Sequence, residues 1–361
     1  MAPPLSRGTC PEAGLDTAEL SRIVPELAGF VRPAPGHPWC AGAVVLAGRG
    51  RTVALHEALG WAVRYEGYDE DADRGRELPP ERWVPARPDT VFDLASLTKL
   101  FTARLAAAHL DLDAAVASYI PEFAAAGKEA VTVRQLLDHT SGLRAEAPFY
   151  DQPTAAARAA LLWDEAPLHP PGTARIYSDL NLIAAQYALE RATGRLLDDL
   201  VRSDITGPYG MTDTCFNPPP GMLPRIAATE DQRRPWGRLD RGMVHGVVHD
   251  ENAYAMAGVS GHAGLFSTAW DLALLCRALL DEGGPWPGFE VDQPSFMGEL
   301  AGRGAVGHTG FTGTSLVLDP ASDSFLVLLT NSVHPSRTWR EGSAPRAAAA
   351  TRLARALPAG A

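Results

Sequence analysis

Between residues 16 and 30, Leu20, Ile23, Val24, Leu27 and Phe30 recur at helical spacing and predict an amphipathic first helix after a frayed start. Two strand-like runs follow, AGAVVLAG and TVALHEALGWAV, and the turn-forming RGR between them makes them an antiparallel hairpin. The charged, proline-rich segment GYDEDADRGRELPPERWVPARPD reads as an exposed loop. Helical patterns dominate from Val91 to Val201, punctuated by HTSGL and HPPGTARIYSD, and a loop-rich zone runs from NPPPGMLP to Asp250. TAWDLALLCRALLDEGG then predicts a helix stopped by its glycines, GTSLVLDPASDSFLVLLTN a second hairpin, and the segment from Ala344 to Leu357 a closing helix. Strands at both ends with helices between them predict an α/β (α+β) fold, an antiparallel sheet assembled from both chain ends, flanked by helices and carrying a mainly helical second lobe. One domain is expected over 1–361, with 16–90 and 265–361 forming the sheet lobe and 91–264 the helical lobe.

Composition narrows the function classes. The 46% apolar and 21% charged content is that of an ordinary globular protein, and a net charge of −11 leaves no basic face for nucleic acid. No apolar run is long enough to cross a bilayer, and the start MAPPLSRGTCPEAG lacks the cationic and apolar regions of a secretory signal. Cys10, Cys40, Cys215 and Cys276 are too scattered for a zinc site or a disulfide scaffold, so a reduced, cytoplasmic protein is expected, with no membrane partner. With no metal cluster or phosphate-cradling glycine loop in the pattern, no cofactor is implied; the oligomeric state is not legible.

Of the 32 Lys and Arg residues only Lys99 and Lys128 are lysines, so arginine is the default cation and DLASLTKLFTA stands out. Ser96 and Lys99 are three apart and share a helix face, with Asp93 placed to cap that helix and set Ser96 in its first turn. A serine hydroxyl needs a neighbouring base to become a nucleophile. Lysine can be that base when burial lowers its pKa, whereas arginine effectively never deprotonates.

Further motifs follow in order: IYSDLN, with Tyr177 and Asp179 behind a Pro-Pro-Gly turn, and VGHTGFTG, with His308, Thr309 and Gly310. Together with Ser-x-x-Lys they resemble the serine β-lactamase and penicillin-binding-protein superfamily, most of all its class C and esterase branch, and the resemblance extends from about Ala41 to Pro335. It implies a β-lactamase/transpeptidase-like fold with the active site between the lobes. It also implies Ser96 as nucleophile, Lys99 and Tyr177 as general base and acid, and the amides of Ser96 and Phe311 as oxyanion hole. Asp179, His308, Thr309 and Gly310 would bind substrate, Gly310 because backbone must approach it closely. A phenolate beside a lysine ammonium would serve as base. His139 and His262 read as structural or cleft-lining, since neither has a carboxylate or second histidine at ligand spacing.

The chain departs from the superfamily pattern at two positions. Asp179 stands where the motif has asparagine, and an ionised carboxylate only accepts hydrogen bonds. His308 stands where lysine is frequent, and a partly neutral imidazole is a weaker anchor for a substrate carboxylate. The stretch after Lys99 and that from Gly283 to Gly304 read as shortened, which reshapes the cleft. The expected function is a serine hydrolase or acyltransferase acting on a small-molecule ester or amide donor, with water, an amine or an alcohol as acceptor. A D-amino-acid peptidase or penicillin-binding protein, and a catalytically silent ligand-binding homologue, are the alternatives.

Overall fold

The computed structural model describes residues 5–32, 37–339 and 341–358; the outermost residues of the expected 1–361 domain lie outside them. The central sheet has eight strands: β1 (Ser6–Arg7), β2 (Gly42–Arg49), β3 (Thr52–Val63), β4 (Val84–Pro85), β5 (Glu290–Val291), β6 (Val306–Thr309), β7 (Ser315–Asp319) and β8 (Ser324–Thr330). Across the sheet the order is β1-β3-β2-β8-β7-β6-β5, with β4 on β3. The β1–β3 contact is parallel and the others antiparallel. The first and last parts of the chain thus meet side by side, with Ala43 opposite Thr330 and Arg49 opposite Ser324.

Period-two alternation explains why β2, β7 and β8 read as continuous apolar runs. Val44, Leu46, Leu316, Leu318, Val327 and Leu329 face the larger core, which they share with the helices α2 (Thr98–His109), α3 (Asp179–Thr193) and α4 (Ala269–Glu282). Ala43, Val45, Ala47, Val317, Leu326 and Leu328 face a second core under α1 (Ile23–Val31) and α5 (Ala344–Ala356). Helices therefore cover both faces, and a mainly helical region between β4 and α4 completes the expected α/β architecture.

Three sequence expectations are corrected. The first helix breaks into Thr17–Leu20 and α1, because Pro25 has no N–H to continue the ladder and its ring crowds the preceding turn. The hairpin Tyr65–Asp69 with Arg74–Glu77 reaches into the segment expected as an exposed loop, from Gly67 onwards. Tyr65 and Tyr68 of that hairpin are buried against Trp339, an aromatic partner that local charge density does not reveal. Asp93 does not cap α2: it lies in a strand antiparallel to Leu265–Ser267, and its carboxylate accepts from the backbone N–H of Ala95 at 2.8 Å and of His249 at 2.6 Å.

The four cysteines are free thiols, and no described helix is long and apolar enough to cross a membrane. The other lysine, Lys128, is fully buried and donates to the carbonyls of Ala125, Trp163 and Glu165 at 2.8, 2.7 and 2.6 Å. Three carbonyls suit the three protons of an ammonium, a geometry that the planar guanidinium fork does not match.

Candidate active site

Ser96 sits in a single 3-10 turn, Ala95–Leu97, between the Phe92–Asp93 strand and α2. Ala95 takes φ 47°, a left-handed conformation that costs a β-carbon residue energy, and Asp93 holds it by accepting the Ala95 N–H. From the next turn Lys99 reaches back, and its Nζ lies 2.8 Å from Ser96 Oγ. The same ammonium donates to the His262 carbonyl at 3.1 Å and pairs with Asp179 Oδ1 at 2.7 Å, and it is 4.9 Å from the centre of the Tyr177 ring.

The charge state of Lys99 departs from the expected one. Burial pushes its pKa down, but the Asp179 carboxylate and the Tyr177 hydroxyl outweigh burial and raise it above the ordinary lysine value. Lys99 is therefore an ammonium, and a lysine base with a depressed pKa does not describe this site.

Tyr177 and Asp179 come from the start of α3, where Ser178 anchors the turn by donating from Oγ to the Arg144 carbonyl at 2.6 Å and from N to His139 Nδ1 at 3.1 Å. Asp179 occupies the first turn, where the helix dipole favours negative charge. Asn181 does not stand in for the missing asparagine: it is fully buried and accepts from Ser141 Oγ at 2.5 Å. His139 is structural as expected, its ring 4.6 Å from that of Tyr177; burial and the nearby Lys99 charge hold its pKa at about 3, consistent with Nδ1 acting as acceptor.

His308, Thr309 and Gly310 close the opposite wall at the end of β6. The turn that follows is stitched to the nucleophile strand: Thr312 Oγ1 donates to the Asp93 carbonyl at 2.7 Å and Thr314 Oγ1 to the Leu94 carbonyl at 3.0 Å. From α5 the buried Arg346 donates to the Gly310 carbonyl at 2.8 Å and fixes the turn from behind. Sequence reasoning missed Thr312, Thr314 and Arg346; the two threonines flank the His-Thr-Gly motif within GHTGFTGT, but Arg346 carries no local signal. A methyl group on Gly310 would lie 2.4 Å from the Leu94 carbonyl and 2.1 Å from Thr314 Oγ1. Gly310→Ala is expected to lower kcat by about 10²-fold and to cost about 1–3 kcal/mol of stability, read from ester turnover and thermal melting.

His308 is sharper than the sequence implied. Burial, with Lys99 and Arg175 adding to it, lowers its pKa to about 3, and its Nδ1 faces the Thr309 carbonyl at 2.8 Å. It is neutral in the working range and carries no charge for an anion. Arg175 in the same wall is engaged by Glu290.

Ser96, Tyr177 and Phe311 stand where two concavities meet. One, of about 500 Å³, includes Tyr150, Asp179, Trp236 and Asp250 in its walls; the other, of about 420 Å³, includes Arg175, His308 and Thr309. Beneath Phe311, the His249 ring stacks at 5.6 Å and bonds Glu230 at 2.8 Å, while Arg337 pairs with Glu230 at 2.7 Å. Glu230 is fully buried, and these partners overcome its burial and lower its pKa to about 2.

His262 keeps the structural one of its two expected roles, but its expected lack of a carboxylate partner is corrected. It is buried and its Nε2 lies 2.9 Å from Asp250 Oδ1, a carboxylate partner that the loop between them hides at the level of spacing. Asp179, Asp250 and His262 bring potential metal-ligating atoms within 4.8 Å of one another. Lys99 pairs with Asp179 Oδ1 and His262 Nε2 with Asp250 Oδ1, so these contacts hold the three groups together.

The sequence model of the Beta-lactamase family matches residues 27–351. A putative D-alanyl-D-alanine carboxypeptidase of Escherichia coli K12 is 32% identical over 343 residues, covering 78% of this chain and 76% of that protein. Among solved structures, a penicillin-binding protein homologue from Caulobacter crescentus has 26% identity and a TM-score of 0.66, covering 96% of this chain and 99% of its own. A class C β-lactamase from Rhodobacter sphaeroides has 19% identity and a TM-score of 0.68, covering 94% and 99%, a likeness of fold.

Proposed function

This chain belongs to the beta-lactamase family of serine hydrolases, and on that premise we propose that it forms an acyl-enzyme on Ser96 from an ester or amide donor. The observation that carries the reading is the 2.8 Å contact between Ser96 Oγ and Lys99 Nζ in the floor of a cleft. Because Lys99 is held as an ammonium, its role is electrostatic: it orients Ser96 and stabilises negative charge as the hydroxyl ionises. Tyr177 takes the Ser96 proton and delivers it to the leaving group. The amides of Ser96 and Phe311 hold the oxyanion, and the turn through Gly310 sets their spacing. The sheet lobe, 16–90 and 265–361, and the helical lobe, 91–264, act as one catalytic domain around this cleft.

The donor class follows from the wall at His308. A neutral imidazole, and an arginine already engaged by Glu290, offer little to a free carboxylate, which favours uncharged esters and amides. Water completes hydrolysis and an amine or alcohol completes acyl transfer, both in the cytoplasm. The relative's name favours a second reading, a carboxypeptidase acting on D-alanyl-D-alanine ends. Incubation with a fluorophosphonate probe, p-nitrophenyl esters and an acylated D-alanyl-D-alanine peptide separates the two. The ester reading expects an adduct on Ser96 and ester turnover with little D-alanine release; the reverse order of rates supports the carboxypeptidase, and no adduct with no turnover overturns both.

Asp179 has a testable part in this scheme. Asp179→Asn keeps an oxygen for Lys99 but removes the charge that holds its proton, so the Lys99 pKa falls. The alkaline limb of the kcat/KM profile is expected to move to lower pH by about one unit. An unmoved limb would remove the Lys99 charge from the rate.

A further inference from the structure

Asp250 lines the same part of the cleft as Ser96, Tyr177 and Asp179, and three connections fix its carboxylate there. Its Oδ1 accepts from the Ala253 backbone N–H at 2.8 Å and lies 2.9 Å from His262 Nε2, so both bonds fall on one oxygen and Oδ2 has no protein partner among the described residues. His249, the residue before it, donates its backbone N–H to Asp93, the carboxylate that also accepts from Ala95. One buried side chain thereby clamps both the residue before the nucleophile and the residue before Asp250. The third connection is the His262 carbonyl, which accepts from Lys99 Nζ and ties the imidazole behind Asp250 to the cation beside Ser96. His262 Nδ1 meets Ser260 Oγ at 2.7 Å, so both ring nitrogens are engaged and the ring is held in place.

Burial pushes the Asp250 carboxyl up, but the charge and hydrogen bond of His262 overcome it and hold the group well below the ordinary carboxylate range. Such a carboxylate is a poor proton store and a dependable acceptor. Its neighbour in the cleft, Asp179, is committed to the Lys99 ammonium at 2.7 Å.

We infer that Asp250 is a catalytic residue of the second half-reaction, its Oδ2 accepting one O–H of the attacking water and turning the other towards Tyr177, with the water oxygen facing the acyl carbonyl on Ser96. This rests on the acyl-enzyme reading above. The water oxygen forms the new C–O bond while the O–H directed at Asp250 stays intact. The other water proton passes to Tyr177 Oη, the bond from the acyl carbon to Ser96 Oγ breaks, and Oγ recovers its proton from Tyr177. A carboxylic acid leaves, and serine and tyrosine return to their starting states.

The test is rapid mixing of p-nitrophenyl acetate with the wild type and Asp250→Asn, followed by the mass of the Ser96 acyl adduct. The asparagine oxygen can keep the bonds of Oδ1, which turns a donating NH2 towards the water and misdirects it. Acylation is expected to stay within about 3-fold and adduct decay to slow by about 10²-fold. Hydroxylamine, a nucleophile that needs no such orientation, should restore turnover in the variant far more than in the wild type. Asp250→Ser, which retains a helix-capping oxygen, should split the two half-reactions in the same way. Adduct decay at the wild-type rate in both variants overturns the role, and so does a parallel loss of acylation and decay, which marks a structural residue. A wild type that gives neither ester turnover nor a fluorophosphonate adduct on Ser96 strikes the acyl-enzyme reading itself.

Discussion

Ser96→Ala is expected to abolish the fluorophosphonate adduct and to reduce ester turnover by at least about 10⁴-fold, because every step of the scheme passes through one oxygen. The fold should survive. Ser96 is only partly buried, and losing its hydroxyl leaves Lys99 with Asp179 and the His262 carbonyl as partners. A melting temperature close to that of the wild type, beside the lost turnover, would assign the loss to chemistry. Turnover at the wild-type rate would mean that another nucleophile does the work, and the acyl-enzyme reading would fall.

Lys99→Met is the second large effect, and it combines two losses. The cation that orients Ser96 disappears, which is expected to lower turnover by about 10³-fold. Asp179 and the His262 carbonyl lose their partner at a site where Lys99 is 1% exposed, and removing one member of such a buried pair costs about 3–5 kcal/mol. Asp179 keeps 22% of its side-chain surface, so the cost belongs at the lower end of that range. Adding Asp179→Asn to Lys99→Met removes the stranded charge and should recover most of the melting temperature while activity stays lost. Calorimetry and ester kinetics on the two variants separate the roles, and recovery of activity along with stability would make Lys99 a structural residue.

Much of this site was legible because its parts are local. Ser96 and Lys99 are three residues apart on one helix face, and the cation at 99 is a lysine in a chain that otherwise prefers arginine. Tyr177, Asp179, His308 and Gly310 were marked by short motifs, and all of them line the cleft at Ser96. The charge states were not legible. The pKa of Lys99 was expected to be lowered and is raised, because the Asp179 carboxylate offsets burial; His308 was expected to be partly neutral and is fully so, because burial is unopposed by an anion strong enough to hold its proton. Asp93 was misassigned because a carboxylate before a helix ordinarily caps it, whereas here its second oxygen is taken by a backbone amide 156 residues away.

The sequence by itself determined the elements and the chemistry they can carry, since period-two and helical apolar spacing, turn residues and a serine three before a lysine act through neighbours along the chain. Tertiary structure decided what those groups are in place. It buried Lys99 against Asp179, joined His262 to Asp250, stitched Thr312 and Thr314 across 219 and 220 residues of chain to the nucleophile strand, and set Arg346 behind Gly310. Ionisation depends on burial and on charges within a few ångströms, and those distances exist only once the two ends of the chain have closed into one sheet.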